Sequence, residues 1–196
     1  MATNHPISVC KIYAFGSSIG LYHFAEYMYK LCYQHINEPD LSWNDFQINH
    51  SSAYIIAMMV CLAEFSLRRW YLSGIEVNEP GYLAIVFGFI ESSSFSRVVT
   101  GVGATMIIFG QYFRIGSMFH AGSNFNHLVQ TKKQQGHQLV KTGPYAWVRH
   151  PSYFGWFYWA IGTQMLLSNF FILPLWFFAA WTFFSDRIPY EEHHLI

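Results

Sequence analysis

Charge is scarce in this chain: Asp, Glu, Lys and Arg make up 11% of its 196 residues, where an average soluble domain carries about a quarter. A soluble protein this short needs charge to cover its surface, whereas a bilayer removes that need. The few charges cancel, 11 acidic against 11 basic, and no block of one sign occurs, so nothing points to a nucleic-acid partner. Cysteine is equally sparse. Cys10, Cys32 and Cys61 show no paired spacing, which argues against both a disulfide framework and a thiolate zinc site. No HExxH motif or Cys-rich ligand set accompanies the ten histidines, and the adjacent His193 and His194 cannot share a helix face, so no metal is expected. The amino terminus also lacks a signal peptide's uninterrupted apolar core, because Lys11, His23, Glu26 and Lys30 break it; it reads as mature structure.

What is present is apolar and aromatic, 53% and 20% of the residues. The run 151–185 contains no Asp, Glu, Lys or Arg and exceeds one span of about 20 residues. Ser168 and Asn169 supply a turn, which predicts helices over 153–167 and 170–184, each about 22 Å long. Such a hairpin returns its two ends to the same face. Upstream, 98–113 is uncharged, ends at Arg114, and carries Gly101, Gly103 and Gly110 for close helix approach. The stretch 51–72 predicts another span, with Glu64 and Arg68 spaced to neutralise each other. In 12–33, His23, Glu26 and Lys30 recur at helical spacing and place polar groups on one stripe. That stripe should face the bundle or a wet cavity, either to hydrogen-bond other helices or to line a substrate path. The apolar segment 82–90 is too short to span and reads as interfacial. Five spans result, or six if that segment inserts. Because backbone groups in lipid must be paired internally, the uninterrupted apolar runs favour helices over a barrel.

The loop 119–152 is polar and basic, with Lys132, Lys133, Lys141 and Arg149 and turns at Gly136 and Gly143-Pro144. Basic loops prefer the cytosol, which in a five-span chain puts the amino terminus in the lumen; Arg68 and Arg69 pull weakly the other way. At the end of this loop Pro151 can begin a helix, whose free N–H groups then face His150 and suit an anionic group. Tyr145, Trp147 and Tyr153 can stack on a flat or cationic ligand. The far arm of the hairpin brings Arg187 and Glu191 to the same side. An Arg fork can clamp a carboxylate, and a Glu can bond ribose hydroxyls or an amino group. The same residues also read as interfacial anchors and an aromatic belt.

One set of residues looks familiar. The block Gly122, Ser123, Asn124, Phe125, Asn126 and His127 is followed by Leu139-Val140, Thr142-Gly143, Tyr145, the run Arg149 to Tyr153, Gly155 to Trp159, Ile161 to Gln164, and Arg187 with Glu191 and Glu192. This pattern resembles the isoprenylcysteine carboxyl methyltransferases, closely over the last half of the chain and loosely over the first. The resemblance implies an all-α, multi-span integral membrane helical bundle with a carboxy-terminal helical hairpin beside a cytosolic cofactor loop. Residues 1–118 would form the membrane helices on the lipid-substrate side. Residues 119–196 would supply the cofactor loop, hairpin and catalytic carboxy-terminal segment.

It further implies transfer of a methyl group from S-adenosyl-L-methionine to the terminal carboxylate of a prenylated cysteine in CaaX-processed proteins, at the cytosolic face of the endoplasmic reticulum membrane. Membrane lipid would surround the protein. The cofactor cradle carried over is Gln130, His137, Gln138, Leu139, Val140, Tyr145, His150, Pro151, Ser152, Tyr153 and Glu191, and Arg187 would meet the substrate. The short RHPxY element also resembles membrane sterol reductases that use NADPH, which leaves a reductase as the rival activity. Animal family members begin with further spans and continue past the Glu pair into an amphipathic tail. This chain is therefore expected to be shortened at both ends, with a truncated inactive relative as a third reading. The connection from Glu76 to Phe95 looks longer than its family counterpart.

Overall fold

The computed structural model describes residues 5–34, 52–74, 81–127 and 138–195. Among these, the regular structure is helical with no strand, as the apolar periodicity requires. Six α-helices follow in order: α1 (His5–Tyr29), α2 (Ser52–Ser73), α3 (Tyr82–Ile90), α4 (Ser93–Ala121), α5 (Pro151–Leu167) and α6 (Ile172–Leu195). A π-helical turn, Lys30–Gln34, continues α1.

The contacts fix the directions of the long helices. The start of α1 meets the start of α4 and the end of α5, because Lys11 Nζ donates to Ser96 Oγ at 2.7 Å and Ser168 Oγ at 2.8 Å. The end of α1 meets the end of α4, where the Tyr29 hydroxyl donates to the Gly122 and Phe125 carbonyls at 2.7 and 2.9 Å. Helix α2 runs against α1, with Tyr54 beside His23 and Arg68 at the end of α5. The long helices α1, α2, α4, α5 and α6 therefore alternate in direction. The bundle has two ends: one at the α5–α6 turn, the other where the loop before α5 meets the end of α6.

Helices α4 and α5 pack most intimately, for a reason visible in their glycines. A Cβ on Gly110 would lie 2.5 Å from Trp159 N and 2.6 Å from the Gly155 carbonyl; one on Gly155 would lie 2.5 Å from Arg114 N. Gly103 and Gly162 oppose each other in the same way, at 2.8 Å. The four glycines recur seven residues apart on both helices, so backbone touches backbone along an antiparallel seam. Gly101, expected to share in this approach, has nothing within 4 Å of a Cβ and faces outward.

Three helices extend beyond the sequence expectation. Helix α1 begins at His5 rather than 12, α4 covers Ser93–Ala121 rather than 98–113, and α6 continues through Pro189 to Leu195 rather than stopping at 184. Charge delimits an apolar run but does not unwind a helix whose charged ends find partners. The α5–α6 turn falls where expected: Ser168 takes the left-handed conformation (φ 57°) and the Ser168 and Asn169 N–H groups close onto Met165 and Gln164 carbonyls. The interfacial segment forms the short helix α3, at the turn end of the bundle; residues 75–80 of the long connection lie outside the described residues.

Arg68 forms the expected i,i+4 pair with Glu64 and has further partners besides. It is buried, donates to Glu91 at 3.0 Å and to the Leu167 and Ser168 carbonyls at 2.8 and 2.7 Å, and keeps Glu64 at 3.4 Å. Glu64 meanwhile caps α6 by accepting from the Ile172 N–H at 2.8 Å. The expected polar stripe of α1 turns inward as well, with His23 and Glu26 both buried. Large apolar side chains such as Tyr13, Met59, Val98, Ile108 and Phe178 lie outside. The buried charges share the interior with an apolar core that includes Phe15, Trp159 and Leu167, and the apolar exterior is what departs from the soluble pattern. Among the described residues, Ser94–Asn124 is long and apolar enough to cross a membrane by length and composition.

Candidate active site at the loop end of the bundle

Helix α5 starts at Pro151, which suits the first turn because its missing N–H would have no helical partner there. His150 holds the preceding position, and among the described residues no side-chain cap bond to the N–H groups that follow is formed. The helix thus directs a positive dipole end at the loop. The ring of His150 lies parallel to that of Tyr153, 5.7 Å away, forming one aromatic face. The His150 Nε2 pairs with Glu192 at 3.1 Å.

Tyr153 joins two residues of the opposite arm. Its hydroxyl donates to Glu191 Oε2 at 2.6 Å and accepts from Arg187 Nε at 3.0 Å. Arg187 also donates through Nη2 to the His127 carbonyl at 2.8 Å, and its guanidinium lies 5.8 Å from the rings of Tyr153 and Phe183. The hairpin therefore brings Arg187, Glu191, Tyr153 and His150 together, as its geometry demanded. Arg187, Glu191, His150 and Tyr153 are all half-buried, open enough to meet a ligand and shielded enough for charge to count.

The loop residues close one side. Tyr145 lies in a 3₁₀ turn, Gly143–Ala146, packed on α4 with the Pro144 ring 3.2 Å from where a Gly116 Cβ would be. Burial, reinforced by the negative charge of Glu191, pushes the Tyr145 hydroxyl up to about 12. Gly143 has φ 60°, and a Cβ there would strike the His120 ring at 2.8 Å, so glycine is required on two grounds. Gln138 is tethered through its backbone N–H to Asn124 Oδ1 at 3.0 Å; Leu139 is exposed and Val140 half-buried. Gln130 and His137 lie outside the described residues. Pro151 and Ser152 are buried, and the Ser152 hydroxyl accepts from Arg114 Nη1.

Arg114 opens a layer beneath the site that sequence reading did not assemble. Its Nε and Nη2 donate to Glu26 Oε1 at 2.8 and 2.7 Å, and the rings of Tyr22 and Phe125 flank the guanidinium at 5.7 and 5.9 Å. The other oxygen of Glu26 accepts from His127 Nε2 at 2.6 Å. Glu26 was legible only as part of the α1 stripe, and Arg114 only as the end of a span. An isolated carboxylate in one apolar helix and an isolated guanidinium in another were the available signal.

The profile of the isoprenylcysteine carboxyl methyltransferase family matches residues 103–196. The protein-S-isoprenylcysteine O-methyltransferase of Saccharomyces cerevisiae is 37% identical over 179 residues, covering 91% of this chain and 69% of the yeast protein. The chain belongs to the isoprenylcysteine carboxyl methyltransferase family. Among other members, the protein of the same name from Mus musculus is 38% identical over 180 residues, covering 91% of this chain and 56% of its own length. The chain thus spans a little over half of that relative. The solved structure of a eukaryotic intramembrane Ras methyltransferase of the family aligns with a TM-score of 0.78 at 34% identity, over 97% of this chain and 61% of that one. The family's helical fold accordingly extends to α1 and α2, upstream of the residues its profile matches.

Proposed function

We propose that the chain methylates the terminal carboxylate of a prenylated cysteine, with S-adenosyl-L-methionine as methyl donor. The observation that carries this reading is the meeting of Arg187 and Glu191 on the Tyr153 hydroxyl, beside the start of α5 and within a bundle whose outer surface is rich in large apolar side chains. Membership of a family whose relatives are named protein-S-isoprenylcysteine O-methyltransferase supports it.

The residues fit such a donor chemically. A carboxylate at Glu191 suits hydroxyl or ammonium groups, the parallel His150 and Tyr153 rings with Tyr145 suit a flat base or a sulfonium cation, and the start of α5 suits a carboxylate. Gln138, Leu139, Val140, Pro151 and Ser152 would complete the cradle from the loop side, with Gln130 and His137. When bound, the donor supplies an electrophilic methyl group.

The protein's own residues then have a task of placement. A terminal carboxylate, with a pKa of about 3.5, is ionised at neutral pH, so no side chain has to remove a proton. Arg187 is the group to align it: two of its nitrogens are fixed by Tyr153 and His127, and Nη1 has no partner among the described residues. A guanidinium pre-set in this way holds the acceptor without paying again for its own ordering. Water exclusion falls to the aromatic wall of Tyr153, Phe183 and Phe184.

The membrane setting belongs to the same reading. The outward apolar side chains and the inward Lys11, Glu26, Arg68 and Glu91 support five spans, α1, α2, α4, α5 and α6, with α3 interfacial. Alternating directions then set the amino terminus opposite the basic loop, in the lumen of the endoplasmic reticulum if the loop faces the cytosol. Residues 1–118 would serve the lipid substrate and 119–196 the cofactor. A prenyl chain would enter from the bilayer while the donor arrives from water.

The test is incubation in liposomes with radiolabelled S-adenosylmethionine and a farnesylated cysteine analogue. Base-labile label on the analogue is the expected result. Binding of NADPH without binding of S-adenosylhomocysteine would replace this reading with a reductase.

A further inference from the structure

Glu26 is 1% exposed, and taking its carboxylate out of water carries a cost that close partners must offset. Its partners suggest what that cost serves. One oxygen receives both Nε and Nη2 of Arg114 from α4, and the other receives His127 Nε2 from the segment after α4. Each partner leads directly into the site. Arg114 continues through Nη1 to the Ser152 hydroxyl in the first turn of α5, next to His150 and Tyr153. His127 continues through its carbonyl to Arg187 Nη2 on α6. A single carboxylate on α1 thus links the start of α5 to the guanidinium of α6.

Resting on the methyl-transfer reading above, we propose that Glu26 is a positioning residue of this reaction, setting Arg187 and the start of α5 in register with each other. It touches neither reactant and acts through His127 and Arg114. Tyr29 reinforces the His127 arm by holding the Gly122 and Phe125 carbonyls, so residues 122–127 are pinned at both ends. The assignment also extends the site to α1, upstream of the 103–196 stretch that matches the family profile.

The experiment compares the full chain with Glu26→Gln, Glu26→Asp, His127→Ala and the Glu26→Gln/His127→Ala pair in detergent, with the folded fraction counted as the monodisperse peak in size-exclusion chromatography. Glu26→Gln keeps the size but removes the charge, and with its amide oxygen toward Arg114 its N–H₂ faces His127 Nε2. It should lower kcat/KM for the farnesylcysteine analogue by about 10- to 150-fold per folded molecule, the worth of a charged hydrogen bond. Glu26→Asp should recover part of that loss. The double variant should lose less than the product of the two single losses, because both changes cut one tie. Independently of turnover, amide hydrogen exchange across residues 122–127 in the ligand-free protein should accelerate at least about tenfold in Glu26→Gln and His127→Ala.

Parent-like kcat/KM in the folded fraction, or multiplicative losses, would overturn the proposal and leave Glu26 a structural tie. If Glu26→Gln does not fold, His127→Ala decides: parent exchange and parent kcat/KM in that variant overturn it equally. A parent that transfers no methyl group defeats the functional reading instead, and the exchange measurement still reports on the tie.

Discussion

The two ends of the bundle both bury charge, but they use it differently. At the turn end, Arg68 is surrounded by Glu64, Glu91 and two helix-terminal carbonyls, and Lys11 lies against Ser96 and Ser168. The cluster meets the surface at a cavity of about 290 Å³ lined by Glu64, Arg68, Trp70, Tyr71, Phe87 and Phe171. The hydrogen bonds of Arg68 and Lys11, however, close on one another's neighbours inside the protein rather than leading to further polar groups there. At the loop end, Glu26 and Arg114 are just as deeply buried, yet their bonds lead outward to half-buried Arg187, Tyr153 and Glu191. Buried charge by itself therefore does not mark a site. A buried charge whose chain of partners reaches half-buried charged and hydroxyl groups, here Arg187, Tyr153 and Glu191, does.

Breaking this contrast begins at the turn end. Arg68→Ala removes the guanidinium from Glu91 and from two buried carbonyls and should cost about 3–5 kcal/mol. Thermal unfolding in detergent should show that loss, while the fraction still folded binds S-adenosylhomocysteine like the parent. Reduced affinity in that fraction would mean the two ends are coupled more tightly than the contrast allows.

At the loop end the effect should fall on turnover instead. Arg187→Ala forfeits a charged hydrogen bond of about 1.5–3 kcal/mol and should lower kcat/KM for the prenylcysteine roughly 10- to 150-fold, with little change in donor affinity or melting temperature. Glu191→Gln should weaken donor binding first. Because Tyr153 bridges the two, Tyr153→Phe should depress both measures by less than either variant; an effect on one alone would show that the shared hydroxyl does not coordinate them.

Midway between the ends, Gly110→Ala tests the seam. A methyl group 2.5 Å from Trp159 N must push α4 from α5, at about 1–3 kcal/mol, whereas Gly101→Ala meets nothing and should stabilise by roughly 0.5–1 kcal/mol through helix propensity. Similar melting shifts for the two variants would dismiss the seam. The smallest expected effect concerns Tyr145. Its hydroxyl, raised to about 12, contributes stability that is complete below the ordinary value near 10 and is lost only as pH rises through the raised one. Tyr145→Phe should leave the shape of the activity profile unchanged between about pH 6 and 9.

Sequence reading reached what local chemistry encodes. Uncharged runs revealed the helices, Ser168 and Asn169 revealed their reversal, and a hairpin necessarily returned Arg187 and Glu191 to His150. Pairings between distant helices escaped it, because Glu26 and Arg114 are 88 positions apart and nothing in either neighbourhood names the other. Helix ends escaped for a related reason. Arg97 and Arg114 bound the apolar part of α4, yet the helix continues past both, with Arg114 answered by Glu26 across the bundle. Choosing among Gly101, Gly103 and Gly110 required knowing which face meets α5.

The glycine seam also limits how this chain can vary. Where side chains pack together, one can shrink as its neighbour grows, and the volume is conserved. Where Gly103 and Gly110 lie on the backbone of α5, and Gly155 and Gly162 on that of α4, no neighbouring atom is free to yield. A substitution there has no compensating partner elsewhere in the sequence. The lipid-side residues around it, Ile108 among them, are under no such constraint, so freedom to drift and obligation to stay the same alternate around a single turn of α4.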